Sequence, residues 1–324
     1  MQKEIAEAVR EQLETRRQRA LAEAEERQRT VYQRCPALPE LERGMAQAAM
    51  EIATVALSPN SVEAIAQLKD KIQQLQAQKI TVLTQAGLPA DALQPRYSCA
   101  QCSDTGFVRG HRCACWDALY QQETSRRLPA AAVDGQCSFA TFRLELYPLR
   151  DDKGQEVRSV MQGIAARCAE YAEQVGCGAG NLLFMGKTGL GKTHLSLAIA
   201  ARAAQRGCTV SYSSAQGVID RFERTRFGRN PTSDDWEFAT GVGNAQLLII
   251  DDLGSEFVTS FSQSVLYNII NDRMMNGLST IVSTNLDAAR LSATYEQRIS
   301  SRLLCGYTAL GFSGKDIRLL KRME

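Results

Sequence analysis

The chain has 324 residues, 44% hydrophobic and 23% charged, with 38 Lys and Arg against 36 Asp and Glu for a formal net charge of +2. Such a composition excludes a disordered chain and can bury one good core with a second, smaller unit beside it. No run approaches the roughly 18 apolar residues of a membrane-spanning helix, and the charged N-terminus lacks a signal peptide's apolar centre. The default expectation is a cytoplasmic protein with no membrane contact. A charge this close to neutral means that any nucleic-acid contact must come from a local basic patch.

In chain order, Gln2 to about Tyr32 is rich in Ala, Glu, Gln and Arg and free of Gly and Pro, which predicts a long, mostly exposed helix. Pro36 and Pro39 break it. Glu40 to Leu57 and Ser61 to Gln85 then read as two further helices, the last ended by Gly87 and Pro89. Ile65, Leu68, Ile72, Leu75, Ile80 and Leu83 recur at helical spacing, as the seam of a small helical domain or coiled coil would, or as a surface for a partner. The organisation expected is a helical partner-binding region over 1–95, a cysteine knuckle and its following helix over 96–127, a connecting region over 128–156 and an α/β domain over 157–324. No internal repeat is evident.

Four of the ten cysteines crowd together as Cys99-x-x-Cys102, ten residues, then Cys113-x-Cys115, with turn-forming residues between the pairs. Four thiolates within seventeen positions suit a tetrahedral zinc knuckle, and a short segment with few large apolar residues needs a metal to hold it folded. His111 lies in the same loop and is an alternative ligand to Cys113 or Cys115. Redox thiols are a further alternative. Four protein ligands leave no open position, so the role expected is structural. The other six cysteines are scattered singly, which argues against a disulfide framework.

Leu128 to Pro148 mixes Pro, Gly and aromatic residues without a period and reads as a linker. Phe139, Phe142 and Tyr147 within it are candidates to line a base pocket or to pack in a core. From Val157 onward helices alternate with short apolar strands near 181–185, 209–213, 246–250, 279–283 and 307–311. That alternation means a parallel sheet covered by helices.

Gly186-Lys-Thr-Gly-Leu-Gly-Lys-Thr193 fits the phosphate-loop pattern and lies between the apolar strand 181–185 and an Ala- and Leu-rich helix, which is the context the motif requires. Gly186, Lys187, Thr188, Gly189, Leu190, Gly191, Lys192, Thr193 and His194 are the candidate nucleotide contacts. The backbone N–H groups of the loop would turn toward the phosphates at the positive end of the helix. Lys192 would reach the β- and γ-phosphates and Thr193 would hold Mg²⁺.

Leu247-Leu-Ile-Ile250 delivers Asp251 and Asp252 at a strand's C-terminal end, a Walker B pattern in which Asp251 binds Mg²⁺ and Asp252 orients or deprotonates the attacking water. Asn285, ending Ser283-Thr-Asn285, would sense the γ-phosphate or the lytic water. Arg298 and Arg302 share one helical face; each is a capping or surface-pairing residue or an arginine finger for a neighbouring subunit's nucleotide. Arg221-Phe-Glu-Arg-Thr-Arg-Phe-Gly-Arg229 mixes cations with aromatics, as a single-strand contact does. It could equally be a solvated amphipathic helix with Phe222 packed on the sheet.

Together these segments (186–193, Leu247 to Glu256, Ser283-Thr-Asn285 and Arg298-Ile-Ser-Ser-Arg302) resemble the DnaC/DnaI-type, IstB-like helicase loaders, ATPases of the AAA+ class. The resemblance covers about Phe139 to Arg318. It implies a five-stranded sheet of AAA+ order with a reduced or absent lid, preceded by a helical N-terminal domain with a zinc knuckle. It also implies ATP as nucleotide, Arg318 as a second arginine sensor, self-association at ATP interfaces, and assembly with a hexameric replicative helicase on single-stranded DNA. An IstB-like transposition ATPase acting on duplex DNA, or an ATP-binding scaffold with incidental hydrolysis, are the alternatives.

Overall fold

A computed structural model describes residues 2–55, 61–228 and 232–320. The chain divides into two compact units, Arg10–Cys115 and Met1–Val9 with Trp116–Glu324.

The first unit is built from helices and a small hairpin. The first helix, α1 (Gln2–Arg34), spans both units. It is largely exposed, with a sparse buried stripe at Leu13, Ala20, Ala24 and Val31 along the part within this unit. Helices α2 (Leu38–Val55) and α3 (Ser61–Gln85) pack along each other. Their pairing runs antiparallel: Lys79 Nζ meets Glu42 Oε1 at 2.5 Å, while a Cβ on Gly44 would lie 3.2 Å from Leu75. Leu41, Met45, Ala48, Ile52 and Val55 are buried or half-buried at alternating steps of four and three, as are Ile65, Leu68, Ile72 and Leu75 on α3, which is the spacing of a coiled-coil seam. Ile80 departs from the expected stripe and is 42% exposed. The seam passes instead through Lys79, Val82 and Leu83, because a 3.5-residue repeat places position 79, not 80, on the inner face. Leu57, the expected end of the second helix, lies outside the described residues.

The hairpin β1 (Phe107–Val108) and β2 (His111–Arg112) pairs antiparallel through Arg109 and Gly110, whose φ values of 50° and 83° fit a two-residue turn of the kind that matches strand twist.

The second unit begins its order with α4 (Ala114–Arg126), whose first two residues fall in the first unit, followed by the short α5 (Ala130–Val133) and α6 (Arg158–Gln174). Then come β3 (Asn181–Met185), α7 (Lys192–Gln205), β4 (Val210–Ser214), α8 (Ala215–Phe227) and α9 (Ser233–Asn244). The unit continues with β5 (Leu247–Leu253), α10 (Ser260–Met275), β6 (Ser279–Thr284), α11 (Ala288–Thr294), α12 (Gln297–Gly306), β7 (Thr308–Gly311) and α13 (Ile317–Leu320). The five strands β3 to β7 form one parallel sheet ordered β4-β5-β6-β3-β7. Counted within the sheet this is 5-1-4-3-2, a five-stranded parallel sheet of the kind the resemblance implies. Leu182–Met185 of β3 and Leu247–Ile250 of β5 read as unbroken apolar runs because both faces are covered, whereas the central β6 is apolar only at Ile281 and Val282 and buries Ser279, Thr280, Ser283 and Thr284. Leu182, Phe184, Leu247, Ile249 and Ile281 face a core with α6 and α7, while Leu183, Leu248, Ile250 and Val282 face one with α8, α10 and α12.

Residues 128–148 differ from a free linker. Leu128, Ala132 and Tyr147 belong to the α6–α7 core, and Tyr147 is 1% exposed. Its hydroxyl donates to the Leu190 carbonyl at 2.9 Å. Aromatic area decides the outcome: a segment without helical or strand period still orders when its large side chains find a core.

Candidate functional site

The phosphate loop, Asp251–Asp252 and Asn285 lie at the C-terminal ends of β3, β5 and β6, where parallel sheets present their ligand sites. Gly191 caps the start of α7 at φ 88°, and a Cβ there would stand 2.7 Å from the Tyr147 hydroxyl and 2.9 Å from the Phe142 ring. Only glycine fits both demands.

Three strands contribute to one polar network. Lys192 Nζ, on a residue only 6% exposed, donates to the carbonyls of Gly186 at 2.6 Å and Lys187 at 2.9 Å and to Asn285 Oδ1 at 2.7 Å. Asn285 Nδ2 in turn donates to Asp252 Oδ1 at 2.6 Å. Thr193 Oγ1 and the Tyr212 hydroxyl both donate to Asp251 Oδ2, at 2.9 and 2.8 Å, and Ser283 Oγ donates to Asp251 Oδ1. Burial lowers the Lys192 pKa from its ordinary value; Asp252 and Asp251 oppose this and Arg318 adds to it. Burial, then the charge of Asp251, raises the Tyr212 phenol, which therefore stays a donor.

Consecutive strand residues point to opposite faces, yet both Asp251 and Asp252 serve this site. The pairing of β5 with β6 shifts register between Ile250 and Leu253, and Asp252 takes a φ of 61°. The bulge re-aims the second carboxylate toward Asn285, and the Asp252 N–H is held by Ser283 Oγ at 2.9 Å.

A cavity of about 300 Å³ opens over the loop, lined by Thr188 to His194, by Asp252 and Asn285, and by Cys137, Phe142, Tyr147 and Arg318 among others. This is a volume that suits a small ligand. The His194 imidazole lies within hydrogen-bond distance of the Ser138 carbonyl, 2.8 Å, and 5.4 Å from the Phe142 ring. Of the three linker aromatics, Phe142 and Tyr147 line the cavity, whereas Phe139 packs against the core. Arg298 and Arg302 lie elsewhere on the chain, against the Tyr267 ring, each Cζ 4.6 Å from its centroid. Sequence reasoning missed Tyr212, Ser283 and Cys137. The first two lie on the strands that flank β5, so strand adjacency was the one usable signal.

The four cysteines close on one point. Their sulfurs all lie within 4.8 Å of one another, with Cys99 to Cys113 at 3.7 Å and Cys102 to Cys115 at 3.3 Å. Tetrahedral zinc with thiolates at roughly 2.3 Å sets sulfurs about 3.8 Å apart, so the donor set fits such an ion. His111, on the exposed hairpin, is not in the group. The buried Asp104 carboxylate accepts the N–H groups of Ser98 at 2.8 Å and Cys99 at 2.9 Å and so shapes the first ligand turn. The Cys102 N–H holds the Cys99 thiol down to about 7, while burial and then the other thiols push Cys115 up. Four sulfurs this close shed their protons together only around a cation.

In the basic segment of α8, Phe222 packs on the sheet, Arg224 pairs with Asp235 at 3.1 Å, and the Arg221 guanidinium lies 4.2 Å above the Phe238 ring. Arg226 sits 5.5 Å from the 67%-exposed Phe227, and Phe257 nearby in sequence to β5 is 84% exposed. Arg229 lies outside the described residues. No helix among the described residues is long and apolar enough to cross a membrane.

Residues 164–304 match the family model described as IstB-like ATP binding protein. The chain is 23% identical over 189 residues, 58% of its length and 71% of the relative's, to the replicative helicase loader DnaC of Escherichia coli K12. It is 24% identical over 261 residues, 74% of its length and 91% of the relative's, to the phage-like element PBSX protein XkdC of Bacillus subtilis 168. A crystal structure of DnaI superposes with a TM-score of 0.44 and 21% identity, over 60% of this chain and 99% of that one.

Proposed function

We propose that the chain, whose residues 164–304 match the IstB-like ATP binding protein model and which is similar to the DnaC helicase loaders, is an ATP-hydrolysing loader that delivers a hexameric replicative helicase to single-stranded DNA. The observation that carries the hydrolytic part is the bridge from Lys192 through Asn285 to Asp252, which joins a phosphate-binding cation to a candidate general base. Lys192 and the loop N–H groups of 186–193 would hold the triphosphate, with His194 and Arg318 also lining the cavity. Mg²⁺ held by Thr193 and Asp251 would neutralise charge on the phosphates. Asp252 would orient or deprotonate the attacking water while Asn285 fixes its position relative to the γ-phosphate. Arg298 and Arg302 would reach a neighbouring subunit's nucleotide, so that ATP occupancy orders an assembly and hydrolysis releases it.

The helical hairpin and the four-cysteine knuckle, with zinc as its structural ion, are the reading's helicase-docking surface. The N-terminal domain, over 1–95 with the knuckle at 96–127, is thereby given the partner and 157–324 the motor. Phe227, exposed beside Arg226, would supply stacking and phosphate chemistry for single-stranded DNA.

The test is capture of the host's replicative helicase by the full chain, by its Lys192→Ala and Asp252→Asn forms, and by a Cys115→Ser form. A loader binds the helicase through the intact knuckle and stalls in delivery when Asp252 becomes Asn. A scaffold would tolerate Asp252→Asn, and a folded, zinc-loaded chain that captures no helicase would sink the loader reading in favour of a transposition-type partner.

A further inference from the structure

Tyr267 and Asn271 stand one turn apart on α10 and face Arg298 and Arg302, one turn apart on α12. Asn271 Oδ1 accepts from Arg302 Nε at 3.2 Å and Nη2 at 2.9 Å, and the Tyr267 hydroxyl lies 3.1 Å from the same Nη2. Arg302 Nη1 donates to the Arg298 carbonyl at 3.0 Å. Both guanidinium carbons lie 4.6 Å from the centroid of the Tyr267 ring. Glu296 meets Arg298 Nε at 2.7 Å, whereas every one of these Arg302 contacts is to a neutral group. An arginine that only staples two helices gains most from a carboxylate partner. Among the described residues Arg302 instead has its direction fixed by neutral groups alone, which is what a cation aimed at charge developing elsewhere requires.

We infer that Tyr267, backed by Asn271, is the positioning residue for the Arg298–Arg302 pair, holding both guanidinium groups in the orientation in which they act on a neighbouring subunit's nucleotide. This rests on the reading of these arginines as groups that act between subunits. The ring's π face carries partial negative charge and so holds both like-charged groups against it. Its fixed plane limits them to one geometry, and a displacement of about 1 Å at such a group costs about 100-fold in rate.

The experiment mixes full-length chains. Arg302→Ala chains keep an intact nucleotide site and lack the donated arginine; Lys192→Ala chains lack nucleotide and supply it. ATP turnover restored on mixing is the expected baseline. Lys192→Ala chains that also carry Tyr267→Leu, or Asn271→Ala, should restore it at least about 10-fold less well, whereas those carrying Tyr267→Phe should restore it nearly in full. Nucleotide affinity of the Tyr267→Leu and Asn271→Ala single variants should stay within about twofold, since their own sites are untouched. Full restoration by both the Tyr267→Leu and the Asn271→Ala donors overturns the positioning role. Arg302→Ala chains that turn over at full rate alone, or a mixture that fails to recover with Lys192→Ala donors, overturn instead the between-subunit reading on which it rests.

Discussion

The Lys192 ammonium and the Asn285 side-chain oxygen lie 2.7 Å apart, bridging the start of α7 to the end of β6. Because Asn285 also donates to Asp252, it sets the spacing between the phosphate-binding cation and the carboxylate. Asn285→Ala should therefore lower ATP turnover by about 100-fold or more while changing nucleotide affinity little. Steady-state turnover and binding of a fluorescent nucleotide measure the two effects, and equal losses in both would assign Asn285 to ground-state binding.

Tyr212 donates to the same Asp251 oxygen as Thr193. Tyr212→Phe removes one of the three groups that orient Asp251. The half-saturating Mg²⁺ concentration for ATP turnover should rise about 10-fold, as for other groups that orient a metal-binding carboxylate. Turnover at saturating Mg²⁺ should stay close to that of the parent chain. An unchanged Mg²⁺ titration would remove Tyr212 from the site.

Burial lowers the Lys192 pKa in the nucleotide-free chain, and bound phosphates would raise it. Since binding favours the charged form, affinity for ATP should be flat at pH below the lowered free value. It should then fall as pH climbs from that value to the raised one. Calorimetry in two buffers of different ionisation enthalpy should register proton uptake over that alkaline range. Proton release there would contradict the assignment.

The four-sulfur cluster excludes His111. One zinc per chain is expected in the parent and in His111→Ala, and none in Cys115→Ser after dialysis. Retained metal in Cys115→Ser together with loss in His111→Ala would reverse the ligand set.

Arg226 is less tied than Arg224, which pairs with Asp235. Arg226→Ala should weaken single-strand binding and reduce the slope of log affinity against log salt by about 1, with the folding of α9 undisturbed. A salt titration with unchanged slope would take this helix out of the DNA contact.

The candidate nucleotide site was legible because its signals are local in the chain: a phosphate loop between strand and helix, paired carboxylates after an apolar run, an asparagine following the next strand. Strands expected at 181–185 and 279–283 stand at Asn181–Met185 and Ser279–Thr284. The coiled-coil seam was readable except at Ile80, where a step of five between Leu75 and Ile80 hid the change to Lys79. What escaped depends on neighbours distant in sequence. Tyr212 reaches Asp251 across 39 positions and shows no periodicity or motif. The buried Arg273 escaped for the same reason: its guanidinium is satisfied by the Val242 and Ser279 carbonyls and Thr280 Oγ1, contacts made only once α10 has packed on the sheet.

The left-handed backbone at Asp252 limits what that position can become. Aspartate and asparagine are the side chains that adopt positive φ at least cost after glycine. The amide therefore inherits the bulge intact and isolates proton chemistry from geometry. Alanine would add a conformational penalty to the chemical one, so an alanine scan of this site overstates the carboxylate, and the acid-to-amide exchange is the substitution whose kinetics can be read as chemistry alone.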